Sequence, residues 1–277
     1  MEYFIRHSSL TKVVRPMKSI ASLLSAAALG AASLLIPGVA HAAAPNYVAL
    51  GDSYASGVGT RTYISSSGSC QRSTKAYAYI DAGRLGANLT FMACSGAKVA
   101  DVTANQLPSV TSAANIVSVQ VGGNDAGFSS VITECAKPSW LGDCSGAVAN
   151  AQAIINNTLP GRLNGLYASI KSRASSAKVV VVGYPRLFNG TDCNAGTFFS
   201  PDEMTKLNAT ADLLNSKVSA AASAAGFAFV NPTSKFIGHS VCGSPEWING
   251  LSNPVSESYH PNVTGQAAYA DLVQPAL

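Results

Sequence analysis

Five short apolar or β-branched runs recur along the chain, at residues 47–50, 89–93, 116–121, 178–183 and 227–230, with helically patterned segments between them. Runs of this kind suit a sheet buried on both faces, and strands separated by crossover helices form right-handed parallel units. The alternation therefore predicts a three-layer, doubly wound α/β/α sandwich. The best-marked helix begins at Ser200-Pro201-Asp202-Glu203. Ser200 can serve as N-cap, Pro201 suits the first helical position, and Glu203 closes a capping box. Met204, Leu207, Ala211, Leu214 and Val218 form its apolar face, and Gly226 supplies the stop. A second helical pattern, over residues 148–170, should break or kink at Pro160. Nothing in residues 43–277 marks a repeat, a charge block or a low-complexity linker, so one domain is expected there.

Ahead of the first strand, Arg6, Lys12, Arg15 and Lys18 precede an uncharged Ala/Leu-rich stretch, residues 20–36, that runs into Ala40-His41-Ala42. A basic flank, a short apolar core and a small-x-small site together read as a secretory signal peptide spanning residues 1–42. The apolar stretch is short for a bilayer span, and no later segment suits one. Without the leader's four basic residues and Glu2, the net charge of +4 falls to about +1. Neither nucleic acid nor an anionic membrane is implied as a partner.

Six cysteines remain, at positions 70, 94, 135, 144, 193 and 242. An even number in an exported chain reads as disulfides, and there is no Cys-x-x-Cys pair to seed a zinc site. Fifteen pairings are open, of which chain neighbours are expected: Cys70 with Cys94, Cys135 with Cys144, and Cys193 with Cys242. On the chain-entropy view these would contribute about 3.5, 2.7 and 4 kcal/mol. Reductant should cost stability before it touches chemistry.

Ligands of such sheets bind beyond the carboxyl ends of the strands. Gly51-Asp52-Ser53 follows the first strand, Cys94-Ser95-Gly96 the second and Gly122-Gly123-Asn124-Asp125 the third. If the first strand lies between the other two, spacing of roughly 5 Å gathers these turns around one crevice. That arrangement suits acyl transfer. Ser53 would be the nucleophile, while its own N–H, an N–H from the Gly96 turn and the Asn124 amide would face the developing oxyanion. Two histidines lie outside the leader. His260, in Glu257-Ser258-Tyr259-His260-Pro261-Asn262, is favoured as general base over His239, which sits close to Cys242.

Structural roles compete with each assignment. Ser53 could be a turn or cap serine, Gly96 a turn glycine needing positive φ, and Asn124 a helix cap. Asp52 and Asp125 are expected to be structural. Trp140 and Trp247 are expected to pack in partly buried positions, with lining of an acyl pocket as the alternative. Gly238-His239-Ser240-Val241-Cys242 nearly matches the elbow of α/β-hydrolases. Its last glycine is a cysteine, however, and only twenty residues separate Ser240 from His260, where that fold places its acid. Gly57-Val58-Gly59 is followed by Thr62 where a dinucleotide loop has its third glycine.

Gly51-Asp52-Ser53, Gly96, Gly122-x-Asn124-Asp125 and His260, in that order, resemble the blocks of the GDSL or SGNH hydrolase family, its secreted actinomycete lipases, esterases and phospholipases in particular. The resemblance covers essentially all of residues 43–277, and the sequential cysteine pattern is similar. It implies a flavodoxin-like sandwich with Ser53 as nucleophile and His260 as base. It also implies oxyanion donors from Ser53 N–H, Gly96 N–H and the Asn124 side chain, and neither metal nor cofactor. One position departs from the pattern. The family usually places aspartate three residues before the histidine, where this chain has Glu257. The Glu257 carboxylate could orient the imidazole through Nδ1, or the backbone carbonyl of Glu257 or Ser258 could do so.

The expected function is ester hydrolysis through an acyl-enzyme by a secreted monomer, on lipid esters with medium to long acyl chains, phospholipids included. An esterase deacylating polysaccharide and a secreted binding module without catalysis are the alternatives. Because the base must be neutral, activity should rise through roughly pH 6 to 7.

Overall fold

The structure, a computed structural model, describes residues 43–277, and the signal peptide expected at residues 1–42 lies outside the described residues. The five expected runs are five parallel strands: β1 (Asn46–Gly51), β2 (Asn88–Phe91), β3 (Ile116–Gln120), β4 (Lys178–Val182) and β5 (Ala228–Val230), in the order β2-β1-β3-β4-β5. Burial follows position in the sheet. Every residue of β3 is buried, as are the four valines of β4, because helices cover both faces of these central strands. The edge strands β2 and β5 are only partly buried. β1 lies between β2 and β3, with Val48 opposite Thr90 on one side and Val117 on the other. This is the arrangement that gathering the three turns requires.

Among the described residues eight helices flank the sheet: α1 (Ser53–Ser56), α2 (Tyr77–Leu85), α3 (Val99–Asp101), α4 (Phe128–Ala136), α5 (Cys144–Asn157), α6 (Leu159–Arg173), α7 (Pro201–Ala225) and α8 (Val263–Val273). The capping box of α7 forms as read. Ser200 Oγ accepts from Glu203 N, Glu203 Oε2 accepts from Ser200 N at 2.8 Å, and Gly226 ends the helix in the left-handed region. The 148–170 pattern divides at Thr158, and Pro160 falls in the first turn of α6. A proline lacks the N–H that a helix interior needs but costs nothing in a first turn.

The end of β1 is built for close approach. Gly51 has φ +143°, and a Cβ there would lie 2.4 Å from Gln120 O. A side chain completes its hydrogen bonding, since Gly51 N donates to Gln106 Oε1 at 2.8 Å and Gln106 Nε2 donates to Gly51 O at 2.9 Å. The disulfides join Cys70 to Cys94, Cys135 to Cys144 and Cys193 to Cys242. The first anchors the turn that carries Gly96, the second closes the α4–α5 hairpin, and the third ties the segment before α7 to the segment after β5. Among the described residues no helix is long and apolar enough to cross a membrane.

Candidate active site

Ser53 is the first residue of α1. Asp52 caps that helix, with Oδ1 accepting from Tyr54 N at 2.9 Å. Ser56 N donates to Asp52 O. The Ser53 N–H, being first in the helix, has no acceptor among the described residues, as helix geometry dictates. Burial pushes the Asp52 carboxyl up to about 7, and the Tyr184 hydroxyl, donating to Oδ2 at 2.5 Å, opposes that rise. Asp52 is a capping side chain, as read.

His260 Nε2 lies 2.7 Å from Ser53 Oγ, although the two residues are 207 positions apart in the chain. His260 Nδ1 lies 2.8 Å from the carbonyl oxygen of Ser258. A carbonyl can only accept, so Nδ1 carries the proton and Nε2 is left to accept from the serine hydroxyl. The loop that holds the imidazole is pinned on three sides. Tyr259 N donates to Asn249 O, Asn249 N donates to His260 O, and Tyr54 OH donates to Tyr259 O at 2.6 Å. The ring packs beside Tyr54 and Phe128. Gly59, one of the two glycines that resembled a dinucleotide loop, lets this loop approach: a Cβ there would meet Pro261 O at 2.8 Å and His260 Cβ at 3.0 Å.

The geometry separates the two readings of the orienting group. Glu257 is buried, but its carboxylate accepts from Tyr63 OH at 2.7 Å and from Arg61 Nε at 3.0 Å, and it makes no hydrogen bond to His260 among the described residues. The 3₁₀ turn Val255–Glu257 directs the side chain away from the imidazole and leaves the Ser258 carbonyl facing Nδ1. The hydrogen bond at Nδ1 is thus to the Ser258 carbonyl, and the Glu257 carboxylate is engaged elsewhere.

Burial lowers the His260 pKa from 6.5 to about 4, the Ser258 hydrogen bond and the Glu257 charge opposing the shift in part. Burial moves the expected limb below the pH 6 to 7 of a solvated imidazole. The neutral form persists down to about pH 4, so kcat/KM should rise through about pH 4 and hold through neutrality. A profile of kcat/KM on a soluble ester checks this. The stability effect has the same sign. The unfolded chain binds more protons between about pH 4 and 6.5, so the His260 contribution weakens as pH falls through that window.

Side chains staple the second and third turns together. Asn124 Nδ2 donates to Ala97 O at 3.1 Å, which fixes the amide's orientation and leaves its second N–H free. Asp125 Oδ2 accepts from Val99 N and its Oδ1 from Arg162, both at 2.9 Å, which is the structural role expected of it. Gly96 has φ +78°, and its N–H has no acceptor among the described residues. It borders an adjacent crevice with Ser95 and Arg72, whereas Asn124 lines the same cleft as Ser53.

That cleft, narrow and open to solvent, runs from Ser53 between α4, α5 and α7 over Val131, Ile132, Ala151, Ile155, Leu207 and Leu214. Neither tryptophan lines it. Trp247 stacks on His239 at 3.7 Å, and Trp140 is exposed. His239 Nδ1 is engaged with Pro245 O, and the Ser240 hydroxyl has no histidine partner among the described residues. The near-elbow is therefore not assembled.

Two further side chains shape the site. The Tyr184 hydroxyl bridges the first and third turns, donating to Asp52 and accepting from Gly123 N at 3.3 Å. Asn215 of α7 holds Tyr184 by both backbone groups. An aromatic residue just past a strand end, after Gly183, was a readable signal for Tyr184. Gln106 and Asn215 gave none, because a side-chain amide that pairs with a distant backbone leaves no local pattern.

Residues 49–268 match the GDSL-like lipase/acylhydrolase family. The chain belongs to that family. It is an ester hydrolase, and its sheet and helices form the SGNH hydrolase fold. Lipase 1 of Streptomyces coelicolor is 41% identical over 259 residues, covering 92% of this chain and 94% of that one. The crystal structure of an extracellular lipase from Streptomyces rimosus superposes with a TM-score of 0.79 at 43% identity, covering 84% of this chain and all of the other. That of phospholipase A1 from Streptomyces albidoflavus NA297 gives 0.79 at 40% identity, covering 85% of this chain and all of the other. Of the blocks read from the sequence, Ser53 and the Gly123-Asn124 turn line this cleft, and Gly96 borders the adjacent crevice.

Proposed function

We propose that this family member is a secreted, monomeric lipid-ester hydrolase that works through a Ser53 acyl-enzyme. The observation that carries the reading is the 2.7 Å contact between Ser53 Oγ and His260 Nε2 at the head of an apolar cleft. His260 takes the hydroxyl proton as Oγ attacks the ester carbonyl, and the Ser258 carbonyl holds the imidazolium that forms. Ser53 N–H, Gly96 N–H and the free Asn124 N–H receive the oxyanion. His260 then protonates the leaving alcohol, and water repeats the sequence on the acyl-enzyme. The apolar walls favour an acyl chain of medium to long length, glycerides and phospholipids included. Three disulfides and the similarity to an extracellular lipase support an exported protein.

Labelling of Ser53 by a fluorophosphonate tests the nucleophile, which a mere binding module would not offer. A panel of triglyceride, phosphatidylcholine, short p-nitrophenyl esters and acetylated xylan tests the substrate. Strong preference for the xylan would overturn the lipid reading. Glu257→Gln separates dyad from triad. Because the carboxylate serves Tyr63 and Arg61 and not His260, kcat should stay near the parent value. Stability should fall by about 1–2 kcal/mol, toward the low end because Arg61 remains solvated. A tens-fold loss of kcat at unchanged stability would restore the triad.

A further inference from the structure

The crevice beside the cleft differs from it in chemistry. The cleft is walled by apolar side chains, whereas the crevice is edged by Arg72, Ser95, Gly96 and Asn105. Arg61, Arg84, Arg162 and Arg186 each hold a carboxylate. Arg72, half-buried on the crevice, holds none among the described residues, and its guanidinium makes no hydrogen bond among them. The Ser95 hydroxyl and the Asn105 amide are likewise without partners among the described residues. Asp101, the carboxylate on the crevice, is occupied at the start of α3, where Oδ2 accepts from Lys98 N at 2.9 Å.

Arg72 stands on a fixed backbone. Its N–H donates to Ser67 Oγ at 3.0 Å, its carbonyl accepts from Ile64 N at 2.8 Å, and Ser73 N donates to Ser56 O of α1 at 2.7 Å. The Cys70–Cys94 disulfide ties this segment to the Gly96 turn, where Ser95 N donates to Cys70 O at 3.1 Å. Two side chains join the lining of the crevice to that of the Ser53 cleft. Asn124, on the cleft, donates to the carbonyl of Ala97, on the crevice. Gln106, on the crevice, pairs with both backbone groups of Gly51, two residues before Ser53.

We infer that this crevice receives the phosphate in the alcohol half of a glycerolipid ester, with Arg72 as its principal donor, so that the site favours phosphorylated over neutral glycerides. An ester has two halves. With the acyl chain in the apolar cleft and the carbonyl at Ser53, the alcohol half needs room outside that cleft, and the crevice is the space next to it. A guanidinium presents paired N–H groups that match two oxygens of a phosphate, and its weak hydration favours the pairing. The choice of anion rests on the lipid-ester reading above, because phosphate is the anion that the alcohol half of a glycerolipid carries. Arg72 would then be a specificity residue that takes no part in the chemical steps.

A pair of soluble esters that differ in one group provides the test: dibutyryl phosphatidate and dibutyrylglycerol, each kept monomeric. Arg72→Gln should lower the ratio of kcat/KM for the phosphatidate over the diacylglycerol at least about tenfold. The loss should lie in KM, because a phosphate remote from the reacting carbonyl is held alike in ground and transition states. The melting temperature should barely move. Arg72→Lys should recover part of the ratio, keeping the charge without the paired donors, and added salt should weaken the parent's preference. In the Ser53→Ala form, which binds without turnover, titration with the phosphatidate should show the same loss of affinity on Arg72→Gln. An unchanged ratio, with unchanged affinity in the inert form, would overturn the inference. So would inorganic phosphate that binds through Arg72 while the two esters go undiscriminated, since the crevice would then serve an anion free in solution. Turnover of p-nitrophenyl esters but of neither glycerolipid would sink the substrate reading alone, because the Arg72 contact is still read on the inert form.

Discussion

Ser53→Ala should lower kcat on a p-nitrophenyl ester by about 10⁶-fold, whereas Ser240→Ala should keep the parent rate. The Ser53 hydroxyl is the one that His260 Nε2 meets, at 2.7 Å, with the opposite ring nitrogen held in its protonated state by the Ser258 carbonyl. Ser240 lies in a separate crevice with Phe236 and Gly238, and the nearest histidine in sequence is engaged with Pro245. Losing Ser53 Oγ removes the covalent route and leaves the oxyanion donors, which by themselves sustain a rate of roughly 10³–10⁴ over water in comparable sites. The hydroxyl braces nothing else, so the melting temperature should barely move. Loss of turnover in the Ser240 variant alone would refute the assignment.

Asn124→Ala should reduce kcat by about 10²–10³-fold while changing KM little. An oxyanion donor acts on charge that exists only in the transition state, so its loss appears in kcat and not in binding. Asn124 also staples the second turn through Ala97 O, and that part of its role should cost about 1 kcal/mol of stability. Asp125→Asn separates the two effects. It loosens the same pair of turns, through Val99 and Arg162, and leaves the amide in place. Its rate should fall much less than its melting temperature. Equal losses of kcat in both variants would make Asn124 a positioning residue.

The strands, the capping box of α7 and the break near Pro160 were legible because each depends on neighbours in sequence. Burial on both faces favours continuous apolar runs, and helix ends need particular side chains within four residues. Ser53 and Asn124 were candidates for a related reason, since strand ends in an open parallel sheet point at one crevice, and His260 followed by elimination between two histidines. The parts left open depended on environment. Nothing in Glu257-Ser258-Tyr259-His260 tells which oxygen will face Nδ1, because that follows from the turn before it and from Tyr63 and Arg61, some two hundred residues earlier. The downward pull of burial on the His260 pKa was not readable, because a sequence carries no measure of how completely Tyr54, Phe128 and the backbone remove water from an imidazole.

By itself the chain determined which groups it has to offer: a serine after the first strand, an asparagine after the third, one well-placed histidine near its end, and six cysteines for three bridges. Periodicity and turn chemistry act over a few residues, so they survive being read as a string. Tertiary structure decided which of those groups meet, in which tautomer, and how dry they are. It placed β1 between β2 and β3, brought together residues 207 positions apart, and set the Ser258 carbonyl against the imidazole. Hydrogen-bond partnership and desolvation are properties of neighbours in space, and the packing of the whole sheet chooses those neighbours.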